Sequence, residues 1–257
     1  MPNSSVPLAV RICGPIEAPP VVLLHSIGCD GDMWRDQAIQ LQDRRRVLCI
    51  DLPGHGFSAA IDAAPDMHDM AASVVETLDA LGGQVFDMVG LSLGGMVAAA
   101  VALDHPARIR TLTICDARLD APDDYRALWD RLIGLATGEG MDAVANFMVE
   151  RWFGRGQRAA NPRVAEIVAA VRRTPRQGFE AAARAIQALN LLERVGSIAA
   201  PTLLVVGDED GVLPDVMIEI LGRMRNAKLV VIEGAGHLSN IDRPEAFTAA
   251  LLDHLQA

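Results

Sequence analysis

The chain is 257 residues long, 51% of them hydrophobic, with a formal net charge of −10. That much apolar sequence supports a large buried core, as one α/β domain or as a domain carrying an insertion, and excludes a disordered chain. The acidic balance speaks against nucleic acid as a partner, and no apolar run reaches the ~20 residues needed to cross a bilayer.

The first residues, Met1-Pro2-Asn3-Ser4-Ser5, carry neither the basic region nor the apolar core of a signal peptide. Val6 to Ile12 alternates weakly and reads as an entry strand. Val21-Val22-Leu23-Leu24-His25 is a continuous apolar run, the pattern of a parallel strand buried on both faces. A loop, Ser26 to Asp32, leads to an amphipathic helix from about Met33 to Asp43. Val47-Leu48-Cys49-Ile50-Asp51 is the next buried strand, closed by Leu52-Pro53-Gly54-His55-Gly56-Phe57-Ser58. Apolar residues at helical spacing between Met67 and Leu81 give a second helix. Phe86 to Val89 is a strand, Met96 to Leu103 a helix, and Ile109 to Cys115 a further strand. Alternation of this kind implies a parallel sheet with crossover helices.

From Ala117 to about Ser197 the rhythm breaks. Candidate helices Pro122–Ala136, Met141–Trp152, Pro162–Arg173 and Pro175–Leu189 follow one another with no strand between them. Strands resume at Pro201–Val206 and Lys228–Ile232, with helices near Asp215–Arg225 and at Pro244–Leu255. The expected organisation is therefore a core of residues 1–116 and 198–257 and a helical cap of residues 117–197. The cap holds twelve arginines against ten acidic residues, so the rest of the chain carries all of the negative balance. Arginines on helices mostly serve solvation, but a few facing a cleft would attract an anion. The four cysteines, Cys13, Cys29, Cys49 and Cys115, form no C-x-x-C and mostly border apolar runs. Buried free thiols and a cytoplasmic home are expected from them.

The stretch Gly90-Leu91-Ser92-Leu93-Gly94 lies between an apolar strand and a strong helix former, the context of a G-x-S-x-G nucleophile elbow. Glycines flank the serine because the turn brings neighbouring backbone too close for a Cβ. A serine hydroxyl needs a base, and the base needs an acid to fix its tautomer. Of six histidines, His237 in Glu233-Gly234-Ala235-Gly236-His237 follows the last strand and can reach back over the sheet edge. His25 reads as a loop-shaping residue, His68 as a helix start, and His105 and His254 as surface helix positions. For the acid, Val206-Gly207-Asp208-Glu209-Asp210 follows the penultimate strand, at the carboxyl edge where α/β sites are built. Asp210 is the choice and Asp208 the alternative. Two backbone N–H groups must hold a tetrahedral oxyanion: that of Leu93, and one from the loop after Leu24, with Ile27 ahead of Ser26. Trp129, Arg131, Phe147 and Trp152 are candidate substrate-binding residues in the cap, with Arg151 and Arg184 as further possible carboxylate partners. Such aromatics on amphipathic helices also serve as packing between cap and core. No metal or organic cofactor is called for, and no His/Asp cluster suggests one.

Leu24-His25-Ser26-Ile27-Gly28, Asp51 to Ser58, Gly90 to Gly95, Gly207 to Asp210 with Pro214, and Gly236-His237 together resemble the α/β-hydrolase superfamily over nearly the whole chain. The resemblance implies Ser92, Asp210 and His237 as nucleophile, acid and base, with Ile27 and Leu93 at the oxyanion hole. Asp30-Gly31-Asp32-Met33-Trp34, Gly140 to Ala145 and Glu150-Arg151-Trp152-Phe153 are similar to the 3-oxoadipate enol-lactonases. That similarity implies hydrolysis of a carboxylate-bearing enol-lactone in aromatic breakdown. A general carboxylesterase, a carbon–carbon bond hydrolase and a perhydrolase share the same triad. A non-catalytic ligand receptor is the remote alternative. The expected partner is thus a small, anionic ester or lactone.

Overall fold

Apolar runs without alternation must be covered on both faces, and the fold supplies that cover. A computed structural model describes residues 7–60, 65–154, 156 and 161–256. Seven strands, β1 (Val10–Cys13), β2 (Pro20–Leu24), β3 (Arg46–Ile50), β4 (Phe86–Leu91), β5 (Ile109–Cys115), β6 (Thr202–Gly207) and β7 (Ala227–Ile232), form one sheet in the order β1-β3-β2-β4-β5-β6-β7. Only β1 is antiparallel, pairing Val10 with Ile50; every other neighbour runs parallel. All six residues of β4, near the middle, are buried, so the elbow projects from the most constrained strand. The expected strand from Val6 begins instead at Val10, and Val6 lies outside the described residues.

Helix α1 (Arg35–Leu41) packs on the C-terminal helix, while α2 (Met67–Ala80), α3 (Leu93–Asp104) and α8 (Leu213–Arg223) cover the other face of the sheet. The helix expected from Met33 opens as a 3-10 turn, Gly31–Trp34, capped by Asp30, whose side chain accepts from Asp32 N–H. α2 starts in a reciprocal capping box between Asp66 and Asp69. α3 is apolar all round and buried from Leu93 to Ala102, as a helix enclosed between sheet and neighbouring helices must be. The chain closes with α9 (Ser239–Asp242) and α10 (Pro244–Gln256). His254, expected at the surface, is buried, its Nε2 within 3.1 Å of the Leu112 carbonyl. Packing of α10 against β5 places it there.

Between β5 and β6 lie α4 (Asp123–Gly138), α5 (Met141–Trp152), α6 (Arg163–Arg173) and α7 (Arg176–Gln187). α4 packs on α7 and α5, and α5 on α6. The two ends of this segment are zipped together. The Leu119 carbonyl accepts from the N–H groups of Leu191 (2.8 Å) and Leu192 (2.9 Å) beside an antiparallel bridge between Asp120 and Asn190. Against the core, Gly178 meets Gly54 so closely that a Cβ on Gly178 would lie 2.1 Å from the Gly54 carbonyl oxygen. Thr174 Oγ1 donates to the Gly28 carbonyl at 3.1 Å. The four helices thus roof the carboxyl edge of the sheet at several fixed points. Among the described residues no helix is long and apolar enough to cross a membrane.

Candidate active site

The chain reverses at Ser92, which adopts φ 55°, ψ −117° between β4 and α3. A side chain is disfavoured in that region by roughly 1–3 kcal/mol, and the surroundings hold it there. Ser92 N–H donates to the Cys115 carbonyl at 2.8 Å, and Gly94 N–H to the His25 carbonyl at 3.1 Å. A Cβ at Gly90 would lie 2.0 Å from the Gly94 carbonyl oxygen, and one at Gly94 2.1 Å from that of Leu24. Both flanking glycines are therefore required by backbone crossing backbone.

His237 Nε2 stands 2.9 Å from Ser92 Oγ, and His237 Nδ1 stands 2.8 Å from Asp210 Oδ2. With Nδ1–H donating to Asp210, Nε2 is the acceptor for the serine hydroxyl. Burial alone would push the His237 pKa down; the Asp210 charge and hydrogen bond, with Asp116 behind them, outweigh it and the net shift is upward. The two acids after β6 separate cleanly. Asp208 Oδ1 accepts from Gly234 N–H at 2.6 Å and so secures the turn leading to His237, while Asp210 faces the imidazole. The loops that carry acid and base touch along their backbones: a Cβ on Gly207 would lie 2.3 Å from the carbonyl oxygens of Ala235 and Gly236.

Two carboxyl groups without an expected role support this arrangement. Asp116, fully buried and at φ 46°, follows β5 as directly as Ser92 follows β4. Its Oδ1 accepts from Gly207 N–H at 2.8 Å, and its Oδ2 accepts from the Ser239 hydroxyl, so one side chain ties the acid loop to the segment after His237. Burial and the nearby Asp210 charge push its pKa well above the usual carboxylate range. Its place at a strand end was the available sequence signal. Asp242 Oδ2 accepts from Gly236 N–H and from Gly154 N–H, both at 2.7 Å, joining the base loop to the end of α5. Nothing in the sequence pattern marks that residue, because its partners are distant backbone groups.

Ile27 lines the cavity beside Ser92, and Leu93 opens α3 immediately after it. The Ile27 loop is held by His25, whose Nδ1–H donates to the Ser26 carbonyl (2.7 Å) while Nε2 accepts from Leu52 N–H (2.8 Å). Burial pushes the His25 pKa down to about 4, so the ring remains neutral and keeps both bonds. Above Ser92 lies a cavity of about 600 Å³ whose walls include Trp129 from α4 and Phe147 and Trp152 from α5. The Trp152 ring lies nearly parallel to His237, 21° apart with centroids at 6.2 Å. Arg131 does not line the cavity, contrary to expectation. It sits about 200° round α4 from Trp129, and its guanidinium lies over the Phe147 ring at 5.0 Å. Arg184 pairs with Asp130 at 3.1 Å instead of facing the cavity. Arg118, Tyr125 and Arg151 do line it. Among the described residues no group of three or more His, Cys, Asp or Glu side chains could hold a metal.

Residues 19–244 match the alpha/beta hydrolase fold family. The chain is 30% identical to 3-oxoadipate enol-lactonase 1 of Acinetobacter baylyi over 93% of this chain and 90% of that one. It is 31% identical to a pimeloyl-[acyl-carrier protein] methyl ester esterase of Neisseria meningitidis, over 92% and 93% respectively. The enol-lactonase of Burkholderia xenovorans LB400 superposes with a TM-score of 0.92 at 30% identity, covering 97% of this chain and 96% of that one. With the sheet order, the strand-end site and these relatives in hand, the chain belongs to the α/β-hydrolase family.

Proposed function

We propose that the protein is a serine hydrolase acting through Ser92, His237 and Asp210, with an enol-lactone of the 3-oxoadipate kind as its substrate. The observation that carries the chemistry is the unbroken relay from Ser92 Oγ through His237 to Asp210, with contacts of 2.9 and 2.8 Å. His237 Nε2 takes the hydroxyl proton as Ser92 attacks the lactone carbonyl. Asp210 stabilises the imidazolium so formed. The N–H groups of Ile27 and Leu93 receive the oxyanion, each such donor contributing on the order of 3 kcal/mol in comparable sites. Ring opening expels an enolate, which the imidazolium protonates and which relaxes to a ketone. Water, activated by His237, then releases Ser92. The residues 117–197 act as a cap whose aromatic residues Trp129, Phe147 and Trp152 close the apolar side of the cavity.

The enol-lactone reading is supported by the enol-lactonases among the relatives and by the sequence Glu150 to Phe153 at the end of α5, of which Arg151 and Trp152 line the cavity. A simple carboxylic ester is the second reading, favoured by the methyl ester esterase at 31% identity. A cytoplasmic home agrees with four cysteines that remain free thiols. Loss of enol-lactone ultraviolet absorbance, followed with the unaltered protein and with Ser92→Ala, tests the proposal. Saturable loss that vanishes in the variant supports both substrate and nucleophile. Cleavage of aryl esters alone would keep the triad and overturn the lactone. Inactivity on both would overturn the catalytic reading.

A further inference from the structure

Eight of the ten described arginines between Ala117 and Ser197 sit in ion pairs. The two without a carboxylate partner among the described residues are Arg131 and Arg151. Both guanidiniums lie against the same ring, Phe147, at 5.0 and 5.7 Å. Only one of them, Arg151, lines the cavity over Ser92. The other lining cation, Arg118, is already engaged, by Asp120 at 3.0 Å and by the face of Tyr125 at 4.7 Å.

The described acids around the same cavity form no ion pair with Arg151. Asp210 is committed to His237 and Asp116 to Gly207 and Ser239, while Asp124 Oδ1 accepts from the Tyr125 N–H at 2.9 Å. Glu209 also lines the cavity and has contacts of its own, but no ion pair joins it to Arg151. In position, Arg151 occupies the last turn of α5, next in chain to Trp152, whose ring parallels the His237 imidazole. Its charge reaches His237, where it opposes the upward pull of Asp210 and Asp116. A guanidinium with no carboxylate partner among the described residues, lying against an aromatic face and bordering the cavity beside Phe147, Met148 and Trp152, presents a planar fork suited to a carboxylate.

We propose that Arg151 receives a carboxylate carried by the substrate, so that the site selects anionic esters or lactones over neutral ones of the same length. This deepens the hydrolase reading above and shares its cavity, but its first test requires no turnover. Binding of hexanoate and of hexanamide is measured by calorimetry for the unaltered protein, Arg151→Gln, Arg151→Lys and Arg131→Gln. The expected result is a preference for hexanoate that falls about tenfold or more in Arg151→Gln, is partly restored by Arg151→Lys, and persists in Arg131→Gln. The second test compares kcat/KM for the p-nitrophenyl monoester of adipic acid with that for p-nitrophenyl hexanoate; the ratio should fall by about the same factor in Arg151→Gln. Absence of any preference for hexanoate in the unaltered protein, or its survival in Arg151→Gln, overturns the proposal. If neither ester is cleaved while the binding preference follows Arg151, the hydrolase reading fails and the carboxylate site stands.

Discussion

Asp242 joins the loop of His237 to the end of α5 through a single oxygen, and replacing it separates two contributions that are otherwise entangled. Its Oδ2 accepts from Gly236 N–H, the residue before His237, and from Gly154 N–H, two residues beyond Trp152, each at 2.7 Å. The neighbouring contact, Leu238 N–H to the Trp152 carbonyl at 3.1 Å, runs in parallel and cannot replace both. Hydrogen bonds to a charged acceptor contribute roughly 1.5–3 kcal/mol each. Asp242→Ala strands two buried donors and should therefore cost about 3–6 kcal/mol, a large part of the ~5–15 kcal/mol that holds a domain folded. Asp242→Asn is a different case. Burial raises the Asp242 pKa in spite of the two N–H donors and Arg243, so the carboxylate is costly to keep charged here. An amide oxygen in the same place keeps both bonds without that cost, and the net change should be below about 2 kcal/mol. Urea unfolding gives the two stabilities. Aryl ester kcat/KM gives the consequence for His237, expected to fall about tenfold to a hundredfold in the alanine variant, because a displaced base loop misplaces Nε2. Stability and activity like those of the unaltered protein in Asp242→Ala would refute the claim that this carboxylate positions the base.

Asp210→Asn should lower kcat by about 10⁴-fold, since an amide cannot fix the Nδ1–H tautomer as a carboxylate does, whereas Asp208→Asn keeps an acceptor for Gly234 N–H and should change kcat less than about tenfold; equal effects on aryl ester turnover would refute the assignment of roles. For pH dependence, imidazolium cannot accept the Ser92 proton, and the His237 pKa is raised from its ordinary 6.5. Activity should accordingly fall as pH drops through a midpoint above 6.5, read from kcat/KM on a neutral ester whose own charge is constant; a midpoint below 6.5 would contradict the Asp210 contact.

What the sequence reveals about this fold follows from how local each signal is. The buried strands were legible because Val21 to Leu24 and Val47 to Ile50 are continuous apolar runs, and the elbow because Gly90 and Gly94 are each demanded by a backbone crossing only a few residues or one strand away. Helix ends were legible where a cap is local, as at Asp66, and shifted where it is not, as at Leu213, where the helix begins two residues ahead of the expected Asp215. His254 departs from the surface position its helix suggests because Leu112, whose carbonyl it meets, lies 142 positions away.

The same reasoning explains the division within the site. The proposed nucleophile, acid and base, Ser92, Asp210 and His237, each follow a strand, and strand ends are readable, so the sequence alone suggests these three and the structure brings their side chains into contact. The cap residues have no such marker. Trp129 and Arg131 are two positions apart on one helix, about 200° in angle, so only one of them can share the cavity face; the structure gives it to Trp129 and leaves Arg131 to hold Phe147. Helical phase was known in advance, but which face turns toward Ser92 depends on how α4 seats against α7 and α5, a property of packing between elements. Substrate choice in this architecture is therefore written in the least local part of the chain. Among the described residues Arg151 is the cavity-lining arginine with no carboxylate partner, and the carboxylate selection proposed above rests on it.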